Sequence, residues 1–443
     1  MENNLYLYWI GKEYKLIKIL RNLMYLHSTN GNGYKVNLIT PNNINNYVKD
    51  LPEYFYKLCP AHQADYVRVC VICDYGGLWL DSDTLVLDSL DSLFDSINNK
   101  NGFFIKENNT VLCNGIFGSK PNTELMIEYK KNIIMKLNNN INIGWSEIGC
   151  KMLQYLYDTN KKLYDDYTIY EGLDNMYPVN WNNCVKEFIN KPYDNYKNIV
   201  KNFQPLIILV NSVYKNLENK TEKEIFENKL PLNYFLNKSF ENMTHLINYD
   251  FIEIGTSNFD TLIQNASDEI GISVEPVKYY IDNLQNKPNV KKYNLGISDT
   301  NTFMDVYYIP EEIIIINKLQ NWFKGCNCIN NYHPLHVKHN LQKYVVKEKV
   351  KVITCYELFY QNKVKKLKYL KIDTEGHDMI ILDSLLSYLK YLPPSFYPDK
   401  ILFETNENSE KSVVDNIIIL YNDIGYIVEK RGYDTLLCYN IKK

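Results

Sequence analysis

No run of about eighteen apolar residues occurs anywhere in this chain, so a membrane-spanning helix is not expected. The opening MENNLYLYWIG lacks a basic start followed by an apolar core, which argues against a signal peptide. Excess charge of one sign is missing too. With 49 basic and 52 acidic residues the formal charge is −3, which leaves no footprint for a polyanion and speaks against nucleic acid as a partner. Ten cysteines are too few for a disulfide-dense scaffold, and Cys70, Cys73 and Cys113 fall in apolar segments that suit reduced core thiols. Cys70-x-x-Cys73 reads, on the same grounds, as core rather than as a redox pair. No internal repeat is present. Arginine is scarce: only Arg21, Arg68 and Arg431 stand among the 49 basic residues.

The most informative stretch, residues 64–87, reads ADYVRVCVICDYGGLWLDSDTLVL. His62 to Cys73 predicts a helix whose apolar stripe is Tyr66, Val69, Cys70 and Cys73, stopped by Gly76-Gly77, with Asp65 and Arg68 on another face. An apolar strand then delivers Asp81 and Asp83. Side chains two apart on an extended segment point the same way, so these carboxylates converge on one hard divalent cation while Ser82 faces away. Such an ion keeps water and takes further ligands from substrate phosphates, which points to a nucleotide-linked substrate. An isolated pair of aspartates after a strand is more often a solvated turn. The helix, the glycine pair and a scarce arginine, used where a planar bidentate donor is needed, favour the metal.

This block resembles the signature of the DXD-containing sugar transferases whose founding members extend yeast mannans, a family of retaining glycosyltransferases with a GT-A fold. The resemblance covers about the first 215 residues. It takes in Tyr8-Trp9-Ile10-Gly11 at the end of an opening strand, the strand Val36 to Thr40, Asn114 to Gly118, and Tyr177 to Trp181. It implies a nucleotide-sugar donor with Trp9 near the base, Asp65 and Asp81 near the ribose, Arg68 bracing the pocket, and Tyr8, Gly77 and Lys215 contributing. Mn²⁺ or Mg²⁺ is then held by Asp81 and Asp83. Many relatives carry a histidine that meets the metal or diphosphate near the end of this domain. Here Leu206 to Lys215 places an isoleucine in that slot, so Asn211 or Ser212 completes the coordination and Lys215 meets the phosphates.

The second half opens with a strand, Tyr249 to Ile254, that enters a turn at Gly255-Thr256-Ser257-Asn258, and Ile272 to Glu275 forms a second strand ending in an acid. This is nucleotide-binding logic: the turn lets the backbone approach the ligand, and the acid takes the ribose hydroxyls. A single glycine leaves little room for a pyrophosphate at the helix start, so a cofactor with ribose but no phosphate fits, such as S-adenosylmethionine, with Glu253 facing its cationic amino-acid end. Together with Lys371-Ile-Asp373-Thr-Glu375-Gly376-His377 and a strand at Ile401 to Glu404, this half resembles the FkbM-type methyltransferases over about residues 245–440. These are S-adenosylmethionine-dependent O-methyltransferases with a Rossmann-like sheet. The resemblance implies cofactor contacts from Glu253, Gly255, Ser257, Asn258, Glu275, Ser298 and Asp373. Ligands sit at the carboxyl ends of such strands, which puts Asp373, Glu375 and His377 beside the transferred methyl group. His377 is the first choice of base, since an imidazole titrates near neutral pH, with Asp373 next. Glu375 and His377 also read as caps of the following helix. Cys326-x-Cys328 with His333, His336 and His339 invites zinc, but the spacing suits one tetrahedral ion poorly. A loop over the methyl-acceptor pocket, with His333 as an alternative proton acceptor, is preferred.

The expected class is α/β: a GT-A-like nucleotide-sugar domain over 1–215, a charge-rich linker over 216–240 and a Rossmann-like methyltransferase domain over 241–443. The expected function is a bifunctional enzyme that transfers a sugar and O-methylates a sugar hydroxyl in glycan synthesis. The alternatives are a glycan-binding scaffold with a degenerate transferase half, and a nucleic-acid methyltransferase. A surplus of Asn, Lys and Ile, with 39 tyrosines, looks like the coding bias of an AT-rich genome. A cytoplasmic setting is expected, in the host cytoplasm if a large DNA virus encodes the chain.

Overall fold

The computed structural model describes residues 2–107, 110–172, 176–200, 204–257, 261–406 and 409–440. The chain forms two compact units, Met1–His245 and Leu246–Lys443. Both mix helices with strands, the expected α/β class. Among the described residues no helix is long and apolar enough to cross a membrane.

The first unit contains β1 (Asn4–Tyr8), β2 (Lys35–Ile39), β3 (Gly77–Leu80), β4 (Thr84–Val86), β5 (Gly102–Glu107), β6 (Val111–Ser119), β7 (Tyr167–Glu171) and β8 (Leu206–Ile208). Six of these form a sheet in the order β2-β1-β3-β6-β5-β7. Within it β1 runs parallel to β2 and β3, whereas β6 runs antiparallel to β3 and β5. A strand covered on both faces must be apolar at successive positions, and β1 reads Leu-Tyr-Leu-Tyr. Leu5 and Leu7 join one core with Leu78 and Leu80, while Tyr6 and Tyr8 join the other with Trp79. The helix Pro60–Tyr75 starts on a proline, ends at Gly76 and packs Val67, Val69, Cys70 and Cys73 into the Trp79 core.

Residues 216–240 depart from the bare connector the charge pattern suggests. Thr221 and Glu224 close a capping box on the helix Glu222–Glu227, and the helix Pro231–Glu241 buries Leu232, Phe235, Leu236 and Phe240. Ser239 Oγ donates to Val86 O at 2.6 Å, so this segment is part of the first unit, which ends at His245. Exposed charges on the outer faces mask that apolar stripe in the sequence.

The second unit contains β9 (Ile247–Ile254), β10 (Gly271–Val274), β11 (Val290–Tyr293), β12 (Gly296–Ser298), β13 (Thr302–Tyr308), β14 (Cys328–Ile329), β15 (Val346–Thr354), β16 (Val364–Ile372), β17 (Lys400–Glu404), β18 (Tyr426–Lys430) and β19 (Asp434–Tyr439). Its main sheet has the order β11-β10-β9-β16-β17-β19-β18, parallel except for β19, and β12-β15-β13-β14 form a smaller sheet. The chain works outward from β9 to β11 and later resumes at β16, beside β9. Ile254 and Ile372, in register at the ends of β9 and β16, therefore mark the switch point where open α/β sheets place their ligands.

Candidate active sites

In the first unit β3 hands the chain to Asp81 and Asp83. The segment is a turn rather than the extended run expected, because Thr84 N–H donates to Asp81 O at 3.0 Å. Both carboxylates nevertheless line one cleft, and Ser82, expected to face away, borders it as well, its Oγ donating to Tyr8 O at 3.1 Å. Arg68 sits under this edge, 4 % exposed. Its Nη2 lies 3.1 Å from Asp81 Oδ1 and 3.4 Å from Asp65 Oδ1, and its plane covers the Trp79 ring at 5.3 Å. Trp79 Nε1 donates to the same Asp81 oxygen at 2.9 Å. Burial works against the Arg68 charge, but Asp81 and Asp65 overcome it and hold the guanidinium above its ordinary pKa. Burial and then the charge of Asp81 push the Asp83 carboxyl up to about 8.

The cleft also has an aromatic lining. Trp9, Tyr14 and Tyr214 line the cleft with Tyr14 and Tyr214 centroids 4.7 Å apart and each ring edge-on to Trp9. Tyr8 also lines it, its hydroxyl donating to Gln63 Oε1 at 2.8 Å. Asn211 and Lys215 come from the short helix after β8, whose approach is set by Leu209 N–H donating to Asp83 O at 3.2 Å. Of the sequence candidates, Tyr8, Trp9, Arg68, Asp81, Asp83, Asn211 and Lys215 thus border one space. Asp65 and Gly77 do not. Asp65 is buried behind it, accepting from Asn114 Nδ2 at 2.7 Å, and burial raises its pKa despite Arg68. Gly77 lies at the far end of β3, with φ 109°. The sequence assigns no role to Asn114, Trp79, Tyr14 or Tyr214; the Asn114 to Gly118 segment is the one available signal for the first of these.

In the second unit a cleft opens at the switch point, lined by Gly255, Thr256, Ser257, Glu275, Asp373, Thr374 and Glu375 together with apolar Val274, Ile297, Val306 and Ile329. Gly255 has φ 80°, and a Cβ there would lie 1.8 Å from Asp373 O, so only glycine lets β9 and β16 meet this closely. Glu275 accepts Ser257 N–H and Val277 N–H, each at 2.8 Å. Burial pushes its carboxyl up to about 7 against those bonds. Asn258 lies outside the described residues. Glu253, expected to face the cofactor, is fully buried and turned inward. Its Oε1 accepts from Lys371 Nζ at 3.1 Å and its Oε2 from Leu262 N–H at 2.9 Å.

Three carboxyls crowd the carboxyl ends of β16 and β17: oxygens of Asp373, Glu375 and Glu404 lie within 4.8 Å of one another. Burial, opposed by Lys371, pushes Asp373 up to about 7, and burial with the charges of Glu375 and Asp373 pushes Glu404 up to about 9. His377 does not line the cleft. Its Nε2 is 3.0 Å from the hydroxyl of buried Ser298, and burial lowers its pKa. The local bonding expected of Glu375 and His377 at the helix start belongs to Asp378, which accepts Thr374 N–H at 3.1 Å and Glu404 N–H at 3.1 Å. His333 bonds Glu375 at 2.9 Å, a contact across 42 residues that no local motif announces. His336 is buried against Phe323 and His333, and among the described residues Cys326, Cys328 and these histidines do not come together as a ligand set.

Residues 1–243 match the family described as capsular polysaccharide synthesis protein, and residues 248–408 match the methyltransferase FkbM domain. An uncharacterized protein of Arabidopsis thaliana, At4g19900, is 35% identical over 74 residues, 14% of this chain and 11% of that protein. The chain therefore spans about a tenth of the length of the curated relative it matches. Among solved structures, the PaToxG glycosyltransferase is 16% identical with a TM-score of 0.26, over 37% of this chain and 73% of that one. The apo form of the glycosyltransferase GlyE of Streptococcus pneumoniae TIGR4 is 13% identical with a TM-score of 0.31, over 66% and 80%. A glycosyltransferase involved in glycosylation of the major capsid of PBCV-1 is 13% identical with a TM-score of 0.30, over 49% and 100%.

Proposed function

The chain belongs to the capsular polysaccharide synthesis protein family and carries an FkbM methyltransferase domain, and on that premise we propose a two-site enzyme of glycan synthesis. The first unit transfers a sugar from a nucleotide-linked donor, with retention by the resemblance of its acidic motif. The second methylates a sugar hydroxyl. The observation that carries this reading is one cleft lined by Asp81 and Asp83 together with Trp9, Tyr14 and Tyr214.

Three carboxylates, Asp65, Asp81 and Asp83, gather around one guanidinium, so this edge is short of positive charge and suits a divalent cation. Asp83 and Asp81 would hold Mn²⁺ or Mg²⁺, with Asn211 at the rim. When bound, the ion supplies charge neutralisation for the leaving diphosphate. The aromatic wall takes the base, Lys215 meets phosphate oxygens, and Arg68 keeps Asp81 aimed at the cleft.

The second cleft suits S-adenosylmethionine. Backbone N–H groups, those of Ser257 and Val277 among them, fix the Glu275 carboxyl at the cleft, where it can accept from ribose hydroxyls, and the turn at Gly255 brings backbone to the ligand. The cofactor, when bound, supplies an electrophilic methyl group. Val274, Ile297, Val306 and Ile329 exclude water from it, and a cleft carboxylate, Asp373 or Glu375, takes the proton of the accepting hydroxyl.

The test is a melting-temperature panel of nucleotide sugars with and without manganese, and of S-adenosylmethionine. We expect one nucleotide sugar to stabilise the protein only with metal. No stabilisation by any nucleotide sugar removes the transferase half, and no stabilisation by S-adenosylmethionine removes the methyltransferase half.

A further inference from the structure

His333 is fully buried and caps the short helix Pro334–Lys338, its Nδ1 accepting Leu335 N–H at 3.1 Å. A ring nitrogen that accepts carries no proton, so in the neutral imidazole the proton is on Nε2. That atom is 2.9 Å from Glu375 Oε2, and the bond runs from the Nε2–H to the carboxylate. The Glu375 side chain is 21% exposed and lines the cleft. Its backbone is held in the left-handed region, φ 51°, which a residue with a side chain adopts at a cost, and Cys328 Sγ donates to its carbonyl oxygen at 3.1 Å. Residues 328–333 thus grip Glu375 at both its main chain and its side chain.

We propose, resting on the methyltransferase reading above, that Glu375 is the proton acceptor of the methyl-transfer step and that His333 is the positioning residue that aims it. Both His333 nitrogens are engaged, which suits a fixed donor and not a base meeting substrate. In the step, the acceptor hydroxyl gives its proton to the Glu375 carboxylate as its oxygen bonds the methyl carbon. The carbon–sulfur electron pair returns to sulfur. One sulfonium and one carboxylate become one thioether and one carboxylic acid, so charge balances. An oriented base contributes roughly a hundredfold or more to such a step, and losing its orientation forfeits part of that factor.

Gln and Met match in length but only Gln keeps an N–H donor, so His333→Gln and His333→Met separate donation from packing. We expect S-adenosylmethionine to bind both variants with native affinity by calorimetry. With a mixture of methyl hexopyranosides as acceptors, kcat should fall about tenfold in H333M, stay within about threefold in H333Q, and collapse in E375Q, with little change in KM for S-adenosylmethionine. Equal kcat in H333M and H333Q, or native kcat in E375Q, overturns this inference alone. Failure of the native chain to bind S-adenosylmethionine overturns the methyltransferase reading and this inference with it. If none of the glycosides is methylated, nitrogen-15 NMR of the seven histidines decides: His333 must be the Nε2–H tautomer and its resonance must move in E375Q. An Nδ1–H tautomer, or no response, refutes the pairing.

Discussion

Arg68 meets Asp81 at 3.1 Å while its face covers Trp79, whose own N–H bonds the same carboxylate. The guanidinium is buried, the carboxylate reaches the cleft, and two donors fix the direction in which it points. Arg68→Met leaves Asp65 buried without its cation and should cost about 3 kcal/mol, read by denaturant unfolding of the full chain. Arg68→Lys keeps the charge but loses the planar fork. We expect a smaller stability loss with a nucleotide-sugar KM raised about tenfold, read in steady-state kinetics.

Asp83→Asn removes the carboxylate assigned to the metal while keeping its size. Manganese-dependent hydrolysis of the donor should drop at least about a hundredfold, and the manganese-dependent rise in melting temperature should vanish. Chelation of the native protein should reproduce the loss, and added Mn²⁺ should restore it. Activity in D83N equal to native would move the metal elsewhere.

Glu275 carries the pH prediction. Its carboxyl is pushed up to about 7 by burial, with Glu253 adding repulsion and the N–H groups of Val277, Ser257 and Thr256 pulling the other way. Ribose hydroxyls donate best to the ionised form. Affinity for S-adenosylmethionine should therefore hold above pH 7 and weaken by up to about tenfold per unit below it, measured by calorimetry between pH 5.5 and 8.5. In Glu275→Gln the affinity should be lower and the pH slope gone. For the ligand-free chain the sign is opposite: a raised carboxyl pKa gives stability that is fully present below the unfolded value and lost as pH rises through about 7.

Gly255→Ala places a methyl group 1.8 Å from Asp373 O at φ 80°. The strands β9 and β16 must then part at the switch point. Thermal unfolding of the full chain should show a loss of about 2 kcal/mol or more, and S-adenosylmethionine binding should fall with it. Unchanged stability would mean that the turn accommodates a side chain by shifting.

Much of each candidate site was legible because its signals are local. Asp65 and Arg68 share a helix face through i,i+3 spacing, Gly76-Gly77 stops that helix, and Asp81 and Asp83 follow the strand the pattern predicted. Glu275 at the end of β10 was found the same way. The linker expectation failed to anticipate folded helices at 216–240 because surface charge dominates their composition, whereas the apolar stripe that matters is spread over three turns. Glu253 looked equivalent to Glu275 in one dimension. Its burial opposite Lys371, from a strand 118 residues away, decides otherwise.

The sequence by itself determined the two α/β halves, the acidic motif after β3 and the strand-end acids of the second half, since all of these follow from the period of apolar residues and from the residues that end each element. Only the tertiary structure decided which side chains reach a cleft and which turn to a partner: Trp9 and Tyr14 line one with Tyr214, whereas Asp65 lies behind Arg68, His377 on Ser298 and His333 on Glu375. The physical reason is that a side chain's direction and protonation depend on burial and on partners brought in from distant segments, and no spacing rule along one chain encodes either.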